Sequence, residues 1–233
     1  YKFILSKKNS FIFESVEKGI IKGRYTIMGF NPDKTYNIKN NKIVVDDFKK
    51  KKIIKKNILK YLNGLLKDFK VKSSDDLPKM SSMLVGYFSY DIIRLIEKIP
   101  DKCINDIDIP DIRLMRPRNL IIYDNIKKKI YFIVNVFKEE NIDDYNIKYQ
   151  SIKNTFAELQ HFGNIKLPEN FHITKDKIKV RSNISKSKFK KNVLKAKEYI
   201  KKGDIFQVVL SQRFEAPINK PPLEIYNTLR IIN

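Results

Sequence analysis

The stretch LIIYDNIKKKIYFIVNVF, residues 120–137, constrains the fold more than any other. Two runs rich in β-branched and aromatic residues flank an Asp-Asn turn, the pattern of a β-hairpin. TYNIKNNKIVV, residues 35–45, repeats the arrangement about Asn40 and Asn41, a residue type that tolerates the backbone of a tight hairpin turn. Further strands are predicted at FIFES (11–15), at RYTIMGF (24–30), which ends at the turn signal NPD, and at SSMLVGYFSYD (81–91), which leads into a short helix, IIRLIEKI. Ile54, Ile58, Leu62 and Leu65 recur at helical spacing and predict a helix from about Phe48 to Phe69. Another helix is predicted over roughly Tyr145 to Leu159. Strands and helices are thus interleaved in a mixed domain.

From His161 to Ser182 the text turns polar and irregular, with Gly163, Pro168 and Asn170, and marks a boundary. The domains are accordingly predicted at 1–165 and 182–233. Beyond the boundary, Phe189, Val193, Ala196 and Ile200 form one helical stripe, with Ser185 as N-cap and Gly203 as C-cap glycine. GDIFQVVLSQRF (203–214) follows and reads as a strand. One face carries Phe206, Val208, Leu210 and Phe214, with Gln212, and the other carries Ile205, Gln207, Val209, Ser211 and Arg213. PPLEIYNTLRIIN then opens a helix with prolines at its start.

The formal net charge of +22 invites a nucleic-acid or membrane reading. The make-up of that charge argues against it. Lysines outnumber arginines forty to eight and are spread over nearly every segment, whereas sequence-specific readers use Arg forks and clustered aromatics. Abundant Lys, Ile and Asn beside three alanines is the profile that an A/T-rich genome imposes on codon use. The run Lys49 to Lys52, followed by Lys55 and Lys56, reads as a solvated face, so neither nucleic acid nor membrane is expected as a partner. A single cysteine, Cys103, permits no intrachain disulfide and no Cys-based metal site. YKFILSKKNS lacks the apolar core of a signal peptide, and no run approaches the roughly 18 apolar residues of a membrane span. A cytoplasmic location is the expectation. The residues alone display no catalytic constellation.

Four blocks do carry a resemblance. AKEYI with GDIFQVVLSQRF resembles the start of the chorismate-binding domain of the anthranilate synthase component I family. FIFES followed by GRYTIMGFNP is similar to that family's leucine-leucine-glutamate-serine motif and the strand after it. GYFSYDIIRLIEKIP and DIPDIRLMRPRNLIIYD are similar to the segments that come next. The resemblance implies an α+β fold of antiparallel β-sheets with flanking helices, a regulatory N-terminal domain and the beginning of a catalytic one, with Tyr1 to Ser6 matching a strand. It implies chorismate as substrate, ammonia from a glutamine amidotransferase subunit as co-substrate, Mg2+ as cofactor and tryptophan as feedback inhibitor. Family members have about twice this length, so the magnesium carboxylates are expected beyond Asn233 and the chain by itself is expected to be inactive.

Two sites follow from the resemblance. Gln207 stands where related water-adding enzymes place a lysine as general base. An amide takes no proton at neutral pH, which suits ammonia, a nucleophile that brings its own lone pair. Ser211 and Arg213 share its predicted face, without an assigned role. Glu14 and Ser15 match the motif that lines the family's tryptophan pocket, where a carboxylate and a hydroxyl suit an α-ammonium group. Phe13 replaces a smaller leucine there, and the chain alone is expected to bind tryptophan weakly or not at all. The alternatives are the aminodeoxychorismate synthase large subunit and, more distantly, a basic nucleic-acid-binding module.

Overall fold

A computed structural model describes residues 2–14, 23–69, 74–102, 104–137, 139, 145–163 and 179–232. The chain divides into two compact units, residues 1–166 and 167–233.

The first unit is built on one antiparallel seven-stranded sheet. Its spine is two long strands, β2 (Tyr25–Lys39) and β6 (Ile112–Asp124), paired along their whole length. At one end β1 (Phe11–Phe13) pairs with β2 and β7 (Lys129–Val134) pairs with β6. At the other end β3 (Lys42–Asp46) and β4 (Lys51–Ile54) extend the sheet beyond β2, and β5 (Val85–Phe88) borders β6. Helix α1 (Lys2–Ser6) and helix α3 (Tyr145–Gly163) serve the first end, and α2 (Ile58–Asp68) serves the second.

Local chemistry explains the turns. The β2–β3 loop is Asn40-Asn41, with φ of 49° and 57°, the left-handed pair that a two-residue hairpin requires and that Asn tolerates best after Gly. In the β6–β7 hairpin the Asp124 carboxylate accepts the N–H groups of Ile126 and Lys127, each at 3.0 Å. Both hairpins read from sequence are present.

Three predicted elements are corrected. β2 does not end at Asn-Pro-Asp but runs through it. Asn31 takes φ 48°, Pro32 faces Pro117, and the register slips by one residue between Pro32 and Lys34. A β-bulge absorbs a turn-like sequence when both flanks are paired. The predicted helix from Phe48 begins only at Ile58, capped by Asn57, whose side chain accepts Lys60 N–H at 3.0 Å. Asp46 and Asp47 accept the N–H groups of Phe48, Lys49 and Lys50 and so build a turn. Lys51–Ile54 then pairs with β3 as an edge strand, its lysines exposed. Lys2–Ser6 is a helical turn rather than a strand, because Phe3 and Ile4 bury themselves against Phe30, Phe3 edge-on to it at 5.3 Å.

The core is divided. One cluster gathers Tyr36, Ile38, Ile43, Ile58, Ile112 and Leu114 beneath α2, and the other gathers Phe3, Ile4, Phe30 and Ile121 beside Leu159 of α3. Each fully buried side chain of this size contributes about 1.5–3 kcal/mol, so these clusters outweigh the exposed ion pairs, worth about 0–1 kcal/mol each.

Two glycines give opposite predictions. A Cβ on Gly86 would lie 1.8 Å from the Arg113 carbonyl oxygen on the neighbouring strand, and one on Gly64 meets nothing within 4 Å. Gly86→Ala must push β5 off β6 and lowers stability by about 1–3 kcal/mol, the range for forced backbone shifts. Gly64→Ala, inside α2, raises it by about 0.5–1 kcal/mol. Urea unfolding midpoints moving in the same direction for both variants would contradict this packing.

In the second unit α4 (Lys186–Lys201) has Ser185 as N-cap, accepting Lys188 N–H at 3.3 Å. It ends as predicted at Gly203, φ 78°, where Gly203 N–H reaches the Ile200 carbonyl at 3.1 Å and Asp204 N–H reaches Tyr199 at 3.0 Å. Helix α5 (Pro222–Ile232) starts on its proline. The predicted strand 203–214 is corrected. Only β9 (Phe214–Glu215) is paired, with β8 (Arg181–Ser182), and residues 205–213 lie outside any ladder. Strand propensity needs a partner strand to express itself, and among the described residues β8 reaches only Phe214 of that stretch.

Candidate functional site

Glu14 follows β1 directly and is half-buried. Its position is set by β1 lying close on β2 at Gly29, where a Cβ would sit 2.1 Å from the Phe11 ring. Ser15 lies outside the described residues. Phe13 is half-exposed, its ring centroid 4.9 Å from that of Phe11. Gln207 belongs to the second unit, where it and Ser211 are exposed and Arg213 donates to Glu215 at 2.9 Å. Around it Phe206 is 99% exposed and Val209 82%. An open pocket of about 380 Å³ is lined by Asn41, Lys56, Asn57, Ile58, Leu59, Arg94 and Leu95, and none of the predicted site residues touches it. Among the described residues, no group of three or more His, Cys, Asp or Glu could hold a metal ion.

A polar centre that the sequence reading missed sits on the sheet's spine. Arg116, 7% exposed, forks onto Asp33 at the bulge, its Nε 2.8 Å from one carboxylate oxygen and its Nη2 on the other. The same Nη2 lies 3.4 Å from Glu139, which Lys34 Nζ contacts at 2.7 Å. The Phe137 ring covers the guanidinium, 3.8 Å from centroid to carbon. Burial works against the Arg116 charge, and the Asp33 hydrogen bond and charge more than restore it. Burial likewise pushes the nearby Tyr36 hydroxyl up to about 12. An arginine between Met and Pro, with Asn-Pro-Asp on a neighbouring strand, was the available signal.

A second clamp closes the sheet's end. Arg24 Nη2 donates to Asp124 at 2.8 Å and its Nε lies 3.2 Å from both carboxylate oxygens, with Asp124 only 1% exposed. The Arg24 hydrogen bond, with the two turn N–H groups, holds the Asp124 carboxyl far below the usual carboxylate range. For Glu139, burial would raise the carboxyl, but Lys34, its own backbone N–H and Arg116 outweigh it and hold it at about 2.

Both carboxyls bind protons less well folded than unfolded, so protonation favours the unfolded chain. Their stabilisation is complete above the unfolded carboxylate pKa and is lost as pH falls through the folded one. Urea midpoints should therefore fall between about pH 5 and about pH 2, and Asp124→Asn should flatten that slope. An unchanged slope in the variant would remove Asp124 as a cause.

The description of chorismate binding enzymes matches residues 8–233. The chain belongs to that family. Among curated relatives, anthranilate synthase component 1 of Acetivibrio thermocellus is 37% identical over 238 residues, covering 96% of this chain and 46% of that protein. The Bacillus subtilis protein of the same name is 33% identical over 239 residues, covering 98% and 46%. The crystal structure of anthranilate synthase component I from Streptococcus pneumoniae TIGR4 superposes with a TM-score of 0.74 at 26% identity, over 94% of this chain and 48% of that one. The α+β fold of antiparallel sheet with flanking helices is therefore that of component I, and the chain spans about half the length of the relatives it matches. Among the described residues no helix is long and apolar enough to cross a membrane.

Proposed function

We propose that this chain is the N-terminal portion of an anthranilate synthase large subunit. The observation that carries the reading is the run of relatives named for anthranilate synthase, 29–37% identical across 96–100% of the chain. The intact enzyme adds ammonia to ring carbon 2 of chorismate, expels the 4-hydroxyl and eliminates pyruvate to leave anthranilate. A glutamine amidotransferase subunit supplies the ammonia and magnesium is required.

Gln207 orients ammonia in this reading. Its amide carbonyl accepts one N–H and leaves the nitrogen lone pair for the ring carbon, and it withdraws no proton. Glu14 and Ser15 receive the α-ammonium of tryptophan, which tunes the activity from the first unit. Cytoplasmic location belongs to the same proposal.

The test is to give the full-length gene product chorismate, ammonium and magnesium, and to follow anthranilate fluorescence with and without tryptophan. Anthranilate suppressed by tryptophan supports both halves of the proposal. Anthranilate insensitive to tryptophan keeps the reaction and discards the role of Glu14 and Ser15. Chorismate consumed without anthranilate moves the chain to the aminodeoxychorismate branch.

A further inference from the structure

Gln207 lies in a stretch that joins no ladder among the described residues, yet an amide that orients a nucleophile has to be held in place. Its segment is fixed from the two ends. At the near end Gly203 closes α4 with φ 78°, and Asp204 N–H reaches the Tyr199 carbonyl at 3.0 Å. At the far end Arg213 N–H donates to Asn183 Oδ1 at 2.9 Å, and Asn183 N–H donates to the Arg213 carbonyl at 3.1 Å. The Asn183 carboxamide thereby adds one rung to the short β8–β9 ladder, which pairs Arg181 with Glu215 and Ser182 with Phe214. Asn183 itself stands on fixed ground. Ser182 Oγ donates to the Ile184 carbonyl at 2.8 Å and accepts Ile184 N–H at 3.3 Å, and Ser185 caps α4. Opposite it, the Arg213 guanidinium donates to Glu215 at 2.9 Å.

We infer that Asn183 is a positioning residue for Gln207, its carboxamide clasping the far end of the Gln207 segment to the start of α4. The inference rests on the ammonia-orienting role proposed for Gln207. Helix α4 is then the rigid side of a closed frame: its last turn launches the segment at Gly203, and the residues before its first turn catch it again at Arg213. Gln207 sits on the span between those two holds. Removing the carboxamide leaves only the bond from Asn183 N–H to the Arg213 carbonyl and frees the Arg213 N–H. The nearest remaining hold is then the Ser182–Phe214 pair, at the end of a ladder too short to resist fraying. The clasp uses only the oxygen of the amide, which an aspartate also offers.

A double-mutant cycle in the full-length enzyme tests this, with chorismate, ammonium and magnesium and anthranilate fluorescence as readout. Asn183→Ala should lower kcat by about 10–100-fold, the cost of misplacing a reacting pair, with KM for chorismate within about twofold of the parent. Asn183→Asp should restore kcat to within about threefold, because the acceptor is back. On a Gln207→Leu background, Asn183→Ala should remove less than about twofold more, since a residue acting through Gln207 has nothing left to position. An equal loss on both backgrounds, or an Asp variant as poor as Ala, would overturn the inference. So would an unaffected Asn183→Ala beside a crippled Gln207→Leu, a result that keeps Gln207 in its role. A Gln207→Leu enzyme with the parent's kcat removes that role and the inference with it. Should Asn183→Ala fail to fold, Asn183→Leu, close to asparagine in volume and without the acceptor, carries the same expectations.

Discussion

Arg116→Met should lower the unfolding free energy by about 3–5 kcal/mol, the cost of stranding one member of a buried ion pair. The charge left behind is that of Asp33, whose side chain is 10% exposed, and burial gives it little water to fall back on. The double variant Asp33→Leu/Arg116→Met should recover most of the loss, because two apolar side chains need no compensation there. Lys34→Ala should cost no more than about 1 kcal/mol, since its partner Glu139 is 54% exposed and solvent screens the pair. Urea unfolding of the four proteins separates the cases. A cost below about 1 kcal/mol for Arg116→Met would mean that Asp33 finds solvent and that the pair behaves as a surface one.

Gln207→Leu in the full-length enzyme should reduce kcat with ammonia by about 10²–10³-fold, the loss typical of one preorganised hydrogen-bonding group. It should leave the stability of the present chain within about 0.5 kcal/mol, because the side chain is exposed and its segment is unpaired. Chorismate affinity, measured by equilibrium fluorescence quenching, should hold. A variant that loses affinity and stability together would make Gln207 a packing residue and not an ammonia-orienting one.

How much of this was legible in the sequence depends on range. Elements fixed by neighbouring residues were legible: the Asn40-Asn41 turn, the Asp124 hairpin, and α4 between Ser185 and Gly203. Elements decided by distant partners were not. Asn-Pro-Asp has every local mark of a turn, yet pairing on both sides carries β2 through it. The lysine-rich Lys51–Ile54 is a strand only because β3 is beside it, and residues 205–213 join no β-ladder despite their strand pattern. The same limit applies to the sites. Glu14 and Gln207 were singled out through resemblance, and chain physics alone would have passed over both. Asp33 and Arg116 stand 83 residues apart, so their ion pair exists only once β2 and β6 align.

The unpaired run from Phe206 to Leu210 also governs how the molecule behaves in a tube. It is a short, uncharged, proline-free stretch of high β-propensity with its side chains largely in water, the composition from which intermolecular sheets assemble. Against it stands a net charge of +22, which keeps copies apart while the ionic strength is low. Added salt shortens the reach of that repulsion to about 10 Å at 0.1 M and about 3 Å at 1 M, while leaving the apolar attraction intact. The lysines that say nothing specific about a partner thus act as the colloidal stabiliser of this chain, and dilute buffer is its natural storage medium.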